Sequence, residues 1–462
     1  MSAVPKFALH TYGCQMNVRD SAVLARRLAA AGYAEAASEE EADVVVVNSC
    51  SVREKAEEKA LGKLGMLCAG RRAKPGLVVG LTGCMANRLG DGIFAKIPGL
   101  SFSFGPRAGA RLPELVARAL TGETGIWAPD PPAAPEGGPA GAGPAPEGAA
   151  GAADAPVQSF VTILYGCDRR CSYCIVPSVR GHEESRDPRA IVEEVRAEVR
   201  RGSPDICLLG QSVMRYGRRA FAWPEDLPSP MGFTEPLPRL LELVAREAPG
   251  AKRLRFTSGH PLGVTPELVR AMREIPAVCA HLHLPMQSGS DRILADMRRG
   301  YDSARYLEAV RLLREGVPDV AITTDVIVGY PGETEEDFEA TRRVMEEAGF
   351  DNAFVFKYSP RPGTPSSLLE DDVPDAEKRR RDQVLLADQD ARGLRLNKAW
   401  IGRTVEVLAE GPSLRNPSRW SGRTEQNKIV AFEPVPGVRR GAFVRVLVED
   451  AHPQTLIGRV CN

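Results

Sequence analysis

The chain has 462 residues, 43% of them apolar and 26% charged. That is the composition of a soluble globular protein large enough for two to four domains. Sixty Lys and Arg balance sixty Asp and Glu, so net charge alone announces no nucleic-acid partner. There is no run of 18 apolar residues and no signal-peptide pattern, which predicts a cytoplasmic protein without a membrane partner. In that compartment ten cysteines point to metal or catalytic duty rather than to disulfides.

Residues 5–120 alternate strand and helix. Phe7–Thr11, Val44–Val47 and Leu77–Leu81 are apolar runs with the β-branched character of buried parallel strands. RDSAVLARRLAAAG and VREKAEEKALGKLG are helical patterns between them. This alternation predicts a parallel-sheet α/β domain. Each strand runs into a cysteine: Cys14 closes ALHTYGC, Cys50 closes VVVVNSC and Cys84 closes LVVGLTGC. The C-terminal strand ends of an open parallel sheet face one crevice, so three thiols distant in sequence meet in space. Helix N-termini behind them favour the thiolate form.

Residues 128–156 contain only Ala, Pro, Gly, Asp and Glu. Nothing there can bury enough surface to offset the entropy of ordering, so 121–157 is expected to be a flexible linker.

Residues 158–396 repeat the strand–helix theme. Candidate strands lie at 160–165, 206–210, 253–258, 280–285, 320–328 and 353–358, most followed by amphipathic stretches such as PRAIVEEVRAEVRRG. Six β/α units predict a partial (β/α)6 barrel, with function in the loops after the strands. The first such loop is GCDRRCSYCIVP, with Cys167, Cys171 and Cys174 at C-x3-C-x2-C spacing. A closed zinc site needs four ligands, and no fourth Cys or His stands at finger spacing; His182 is nearest. Three thiolates on an iron–sulfur cube instead leave one iron open to a substrate. Residues 397–462 carry about five short strand patterns and a net charge of +4, from ten Lys and Arg against six Asp and Glu from 398 on. They predict a small OB-like β-barrel of a kind that holds nucleic acid.

The triad at Cys167, Cys171 and Cys174, on the first strand of a partial barrel, resembles the radical S-adenosylmethionine superfamily. The whole order (three-cysteine α/β domain, radical barrel, terminal TRAM barrel) resembles the methylthiotransferases. TYGCQMN, NSCSVREKAEEKALGKLG, LPMQSGSDRIL and SGRTEQNKIVAF resemble the tRNA isopentenyladenosine type. The resemblance implies two [4Fe–4S] clusters, one on each cysteine triad, and S-adenosylmethionine bound at the open iron of the second. It implies that reductive cleavage of this cofactor gives a 5′-deoxyadenosyl radical. The implied product is 2-methylthio-N6-isopentenyladenosine next to the tRNA anticodon. Partners would be the anticodon loop and an electron donor such as flavodoxin or ferredoxin, with the enzyme a monomer. Alternatives are the same chemistry on threonylcarbamoyladenosine or a ribosomal-protein aspartate, and a non-catalytic iron–sulfur or zinc protein that binds RNA.

The resemblance places Tyr173 near the cofactor's adenine, with Gln211 and Ser212 after the second strand, Gln287 and Ser288 after the fourth, and Asp325 within the fifth as further cofactor contacts. Asp325 could equally form an internal ion pair. Ser258 and His260 follow the third strand, in a GHP where the family pattern is S-H-P. Arg180, Gly181, Glu183 and Arg186 match the stretch after the cluster motif and are expected near the cofactor carboxylate or in a surface salt-bridge cluster. Gly329, Pro331 and Gly332 would let backbone approach the cofactor. Cys68, Cys207, Cys279 and Cys461 are expected to be structural. In the last domain Arg415, Arg419, Trp420, Arg423 and Lys428 combine positive charge with an aromatic ring, as binding to an RNA loop requires.

Overall fold

The computed structural model describes residues 4–70, 74–131, 156–219 and 221–461. Val44–Ser49 (β3) is buried at every position, as a central parallel strand covered on both faces must be. It pairs in parallel with Lys6–Tyr12 (β1) and Val78–Gly83 (β4). Three shorter strands complete the sheet: Ala34–Glu35 (β2), Phe102–Phe104 (β5) and Ile126–Ala128 (β6), in the order β2-β1-β3-β4-β5-β6. The first domain therefore runs past residue 120, where the sequence placed its end. Its last strand is only three residues long, too short to show a periodicity. The stretch 132–155 of the expected linker lies outside the described residues.

The central domain has the six expected parallel strands: Gln158–Tyr165 (β7), Asp205–Gly210 (β9), Arg253–Phe256 (β10), His281–His283 (β11), Ala321–Val328 (β12) and Asn352–Lys357 (β13). A two-residue antiparallel strand, Glu184–Ser185 (β8), adds to β7. They form two sheets, β10-β9-β7-β8 and β11-β12-β13, joined by a bridge between Leu254 and Val278. Leu254, Leu282, Val326 and Val328 pack outward against the helices in the main core. Alternation then turns Arg255, His283 and Asp325 inward.

The helix Asp375–Lys398 leads to a closed five-stranded barrel of Thr404–Pro412 (β14), Trp420–Arg423 (β15), Ile429–Phe432 (β16), Phe443–His452 (β17) and Thr455–Val460 (β18). Val407, Val430, Phe432, Val446 and Leu456 fill its core. Arg253 and Arg255 of β10 dock this barrel. Arg253 donates to the carbonyl oxygens of Arg423 (2.6 Å) and Glu406 (3.1 Å), and Arg255 to those of Thr424 (2.8 Å) and Glu425 (2.7 Å). Among the described residues no helix is long and apolar enough to cross a membrane.

Candidate cluster sites and the cofactor cleft

β1, β3 and β4 are neighbours in the sheet, and their ends are in register: Tyr12 opposite Ser49, Ser49 opposite Gly83. Cys14, Cys50 and Cys84 therefore leave three adjacent strands at one edge. Cys14 caps the helix Gln15–Ala30, and Cys84 opens the helix Cys84–Leu89. The thiols stand in a row, with Cys50 between Cys14 and Cys84. The neighbouring Cys50 thiol holds those of Cys14 and Cys84 down at about 6 against the opposing effect of burial, and the Arg180 guanidinium adds to the lowering. Cys50 itself is pushed up by its two neighbours and by burial.

Two buried asparagines hold the row. Asn17 Nδ2 donates to Asn48 Oδ1 (2.8 Å), and Asn48 Nδ2 donates to the Asn17 carbonyl (2.9 Å) and to Ser21 Oγ (3.0 Å). Asn17 Oδ1 accepts from the Cys14 backbone N–H (3.2 Å) and from the Cys14 thiol (3.3 Å). Close packing also demands glycine here. A Cβ on Gly83, at φ +97°, would stand 2.4 Å from the Ser49 carbonyl, and one on Gly13 would stand 2.8 Å from Cys50 Cβ.

Cys167, Cys171 and Cys174 follow β7 at the mouth of the central barrel. Burial pushes the Cys174 thiol up to about 12 and raises that of Cys167. Arg299 Nη1 donates to Cys171 Sγ at 3.1 Å, and Arg299 is itself buried. Glu183 braces the loop: it accepts from the Asp168 N–H (3.2 Å) and from Arg215 Nε (2.6 Å).

The two triads are neighbours. Cys84 packs against Ile175 and Val179, in the turn and helix that follow Cys174. Met16 and Cys14 pack against Cys207, Leu209 and Phe160 of β7 and β9. Buried ion pairs lock the arrangement. Glu194 lies 3.0 Å from Arg19 of the first domain and 2.7 Å from Arg186 of the second. Arg180, expected near the cofactor carboxylate or in a surface salt-bridge cluster, is buried and reaches the first domain: its Nε donates to Cys84 Sγ and its Nη1 to Asp20 Oδ2, each at 3.0 Å.

Both triads are sets of soft thiol donors without carboxylates, which suits iron–sulfur clusters rather than a hard cation. Among the described residues, no group of three or more His, Cys, Asp or Glu is arranged to hold a metal ion. Beside the second triad, Gln211 Oε1 and Arg169 Nε are buried without a hydrogen-bond partner. Buried polar atoms left open at strand ends are what a polar cofactor would satisfy. The donor sets and these atoms fit the clusters and S-adenosylmethionine.

The other expected contacts divide. Tyr173 packs with Ile293, Met297, Tyr330 and Tyr358 beside the second triad. Ser212 is buried in the turn after β9. Gln287 takes a left-handed backbone (φ 71°) and bridges Val326 of β12. Such strain in a non-glycine residue persists only where its surroundings enforce it. Ser288 is wholly buried. Its hydroxyl sits 3.3 Å from Thr341 Oγ1 and accepts from the Ser290 N–H (3.2 Å), so it fastens a helix. Asp325 Oδ2 lies 3.3 Å from His283 Nε2. His260 is buried, accepts from the Leu262 N–H (3.3 Å) and sits edge-on to Tyr301. A Cβ on Gly329, at φ +72°, would meet Lys378 at 2.3 Å, so glycine is required where the helix Asp375–Lys398 packs.

In the last barrel Arg415 is exposed, while Lys428 is paired with Asp351 (2.7 Å) and Asn397 (3.0 Å) at the domain junction. Sequence reasoning missed Asn17, Asn48, Asp20 and Arg299. The asparagines stand inside the quoted TYGCQMN and NSC stretches, which carried that signal.

Three family models match the chain: the Radical SAM superfamily over residues 161–345, the Uncharacterized protein family UPF0004 over 6–105, and the TRAM domain over 398–461. The chain is 41% identical to a tRNA-2-methylthio-N(6)-dimethylallyladenosine synthase of Akkermansia muciniphila, with 99% of each chain covered. It is 41% identical to the protein of that name in Acetivibrio thermocellus (98% of this chain, 90% of that one). For the protein of that name in Burkholderia cenocepacia the identity is 38% (98% and 97%). Among solved structures, the radical S-adenosylmethionine methyltransferase TsrM of Kitasatospora setae matches with a TM-score of 0.56 at 15% identity. That match covers 78% of this chain and 75% of that one, and shows a shared fold.

Proposed function

The chain belongs to the family of the tRNA-2-methylthio-N(6)-dimethylallyladenosine synthases, and from that membership we propose that it converts N6-isopentenyladenosine beside the tRNA anticodon to its 2-methylthio derivative. The dimethylallyl group of the relatives' name is the five-carbon isopentenyl substituent. Full-length similarity to proteins of that name favours this substrate over threonylcarbamoyladenosine and over a ribosomal-protein aspartate.

The observation that carries the proposal is the approach of two cysteine triads across a domain boundary, Cys84 against the helix that follows Cys174. Cys14, Cys50 and Cys84 would hold an auxiliary [4Fe–4S] cluster. Cys167, Cys171 and Cys174 would hold a second whose open iron takes S-adenosylmethionine. When bound, these groups supply one-electron cleavage and sulfur-transfer chemistry that side chains cannot perform.

The protein's own work is to hold and shield. Arg299 and Arg180 each donate an N–H to a ligand sulfur. Gln211 and Arg169 offer polar atoms to the cofactor. The buried Arg19–Glu194–Arg186 set keeps the two triads at a fixed distance. A single-stranded loop presents its base with little unstacking cost, and the exposed basic residues of the last barrel meet its phosphates. A monomer, a cytoplasmic location, and a flavodoxin or ferredoxin as electron donor complete the proposal.

Cys14→Ala tests it. The variant is expected to cleave S-adenosylmethionine reductively yet insert no sulfur. Methylthiolated tRNA from this variant would remove the first triad from the reaction.

A further inference from the structure

Arg180 joins the two triads. It ends the helix Val176–Arg180, which begins two residues after Cys174. The next residue, Gly181, accepts the Cys167 N–H through its carbonyl at 3.0 Å. The Arg180 side chain turns the other way. Its Nε donates to Cys84 Sγ and its Nη1 to Asp20 Oδ2, both at 3.0 Å. The residue is 5% exposed, and its Nη2 is buried with no partner. A guanidinium has five N–H donors in a fixed fork and stays charged at any working pH. Here one donor grips a ligand sulfur, one grips a counter-ion, and a nitrogen is left over beside the thiol row.

We infer that Arg180 is a positioning residue of the auxiliary cluster, setting that cluster's reduction potential from the neighbouring domain. The inference rests on the assignment of a cluster to Cys14, Cys50 and Cys84. Cluster potentials respond to net charge, to N–H···S hydrogen bonds and to solvent exposure. A buried cation hydrogen-bonded to a ligand sulfur favours the more negative, reduced state and so raises the potential. Asp20 is an anion 3.0 Å from that cation and opposes it. The arrangement also makes the auxiliary site whole only when the two domains are docked, since its cation belongs to the second domain.

Redox titration followed by electron paramagnetic resonance tests this. The full chain would be used in a Cys167→Ala, Cys171→Ala, Cys174→Ala background, so that only the auxiliary signal remains. Arg180→Met is expected to lower the reduced-to-oxidised ratio at fixed potential at least tenfold, which is about 59 mV for a one-electron couple. Arg180→Lys, which keeps the charge, is expected to recover most of that loss. Asp20→Asn is expected to shift the potential the opposite way, upward. A merely structural role predicts no such reversal of sign.

An auxiliary cluster present with the same potential in wild type and Arg180→Met would overturn the inference and leave the cluster assignment standing. If Arg180→Met fails to retain a cluster, Asp20→Asn decides: an upward shift supports the inference, and an unchanged or lower potential overturns it. If the triple-alanine background binds no iron with Cys14, Cys50 and Cys84 intact, the cluster assignment fails and the inference falls with it.

Discussion

Arg255→Met is expected to loosen the C-terminal barrel without unfolding it. Arg255 is 4% exposed in β10, and its guanidinium has three partners on two domains. Nε donates to Asp205 Oδ2 at 2.9 Å, Nη1 to the Glu425 carbonyl at 2.7 Å and Nη2 to the Thr424 carbonyl at 2.8 Å. Methionine replaces the stem and none of the donors. Asp205, 2% exposed, is left as a buried anion without its cation, a loss of about 3–5 kcal/mol. Two carbonyls in the β15–β16 turn lose their donors at roughly 1 kcal/mol each or more. The Arg255–Asp205 pair lies within the central domain, so docking itself loses the two carbonyl bonds, about 2 kcal/mol, while Arg253 and the Lys428–Asp351 pair remain. Native limited proteolysis reads the result, because cleavage of a transiently opened linker follows the open population. Cutting after the helix Asp375–Lys398 should release the C-terminal fragment at least tenfold faster than in wild type. Arg423→Met, which removes a half-exposed partner of Glu410, should not change the rate. A wild-type cleavage rate in Arg255→Met would refute the claim that β10 holds the barrel.

Asn48→Ala strips the buried Asn17 amide of its acceptor and should destabilise the first domain by about 2–4 kcal/mol. Iron bound to a chain retaining only the first triad should fall, with partial recovery in Asn48→Asp, which keeps an acceptor. The Glu194 carboxyl is raised by burial but held down at about 2 overall by Arg19 and Arg186. Its folded pKa lies below the unfolded value, so its contribution of roughly 3 kcal/mol is complete above about pH 5 and is lost as pH falls toward 2. Denaturant midpoints of the metal-free chain across that window should slope downward with acid, and Glu194→Gln should flatten the slope. Phe354 lies opposite Asp325 on the inward face of the edge strand β13 and is 49% exposed. A base stacked there is worth about 1–3 kcal/mol, so Phe354→Ala should raise the tRNA KM by roughly 5- to 100-fold. 5′-Deoxyadenosine formation without tRNA should stay unchanged.

What the sequence made legible follows element length and locality. β3 opens on a run of four valines and β12 is eight residues long, and the alternation with amphipathic helices pointed to a parallel sheet and a partial barrel. The six cysteines stood out because each follows a strand, and the end of a parallel strand is a fixed place in space. β5 and β6, FSF and IWA, are three residues each, shorter than any period can reveal, and with them the end of the first domain was lost. Arg180 sits in the chain beside the second triad, but the short helix before it carries its side chain to Cys84, a contact between domains that no spacing encodes. Lys428 has the profile of a solvent-facing basic residue. Only the meeting of Asp351, Asn397 and Trp400 makes it an internal anchor. Ser288 shows the converse, a polar residue after a strand whose partner, Thr341, comes from the helix of the next unit.

The most direct test of the account is mass spectrometry of tRNA nucleosides after incubation with the reconstituted protein. The anaerobic reaction would contain isopentenylated tRNA, S-adenosylmethionine and a low-potential reductant. The account predicts conversion of N6-isopentenyladenosine to its 2-methylthio derivative, together with 5′-deoxyadenosine. Protein with both clusters verified that cleaves S-adenosylmethionine but leaves this nucleoside unchanged would contradict it.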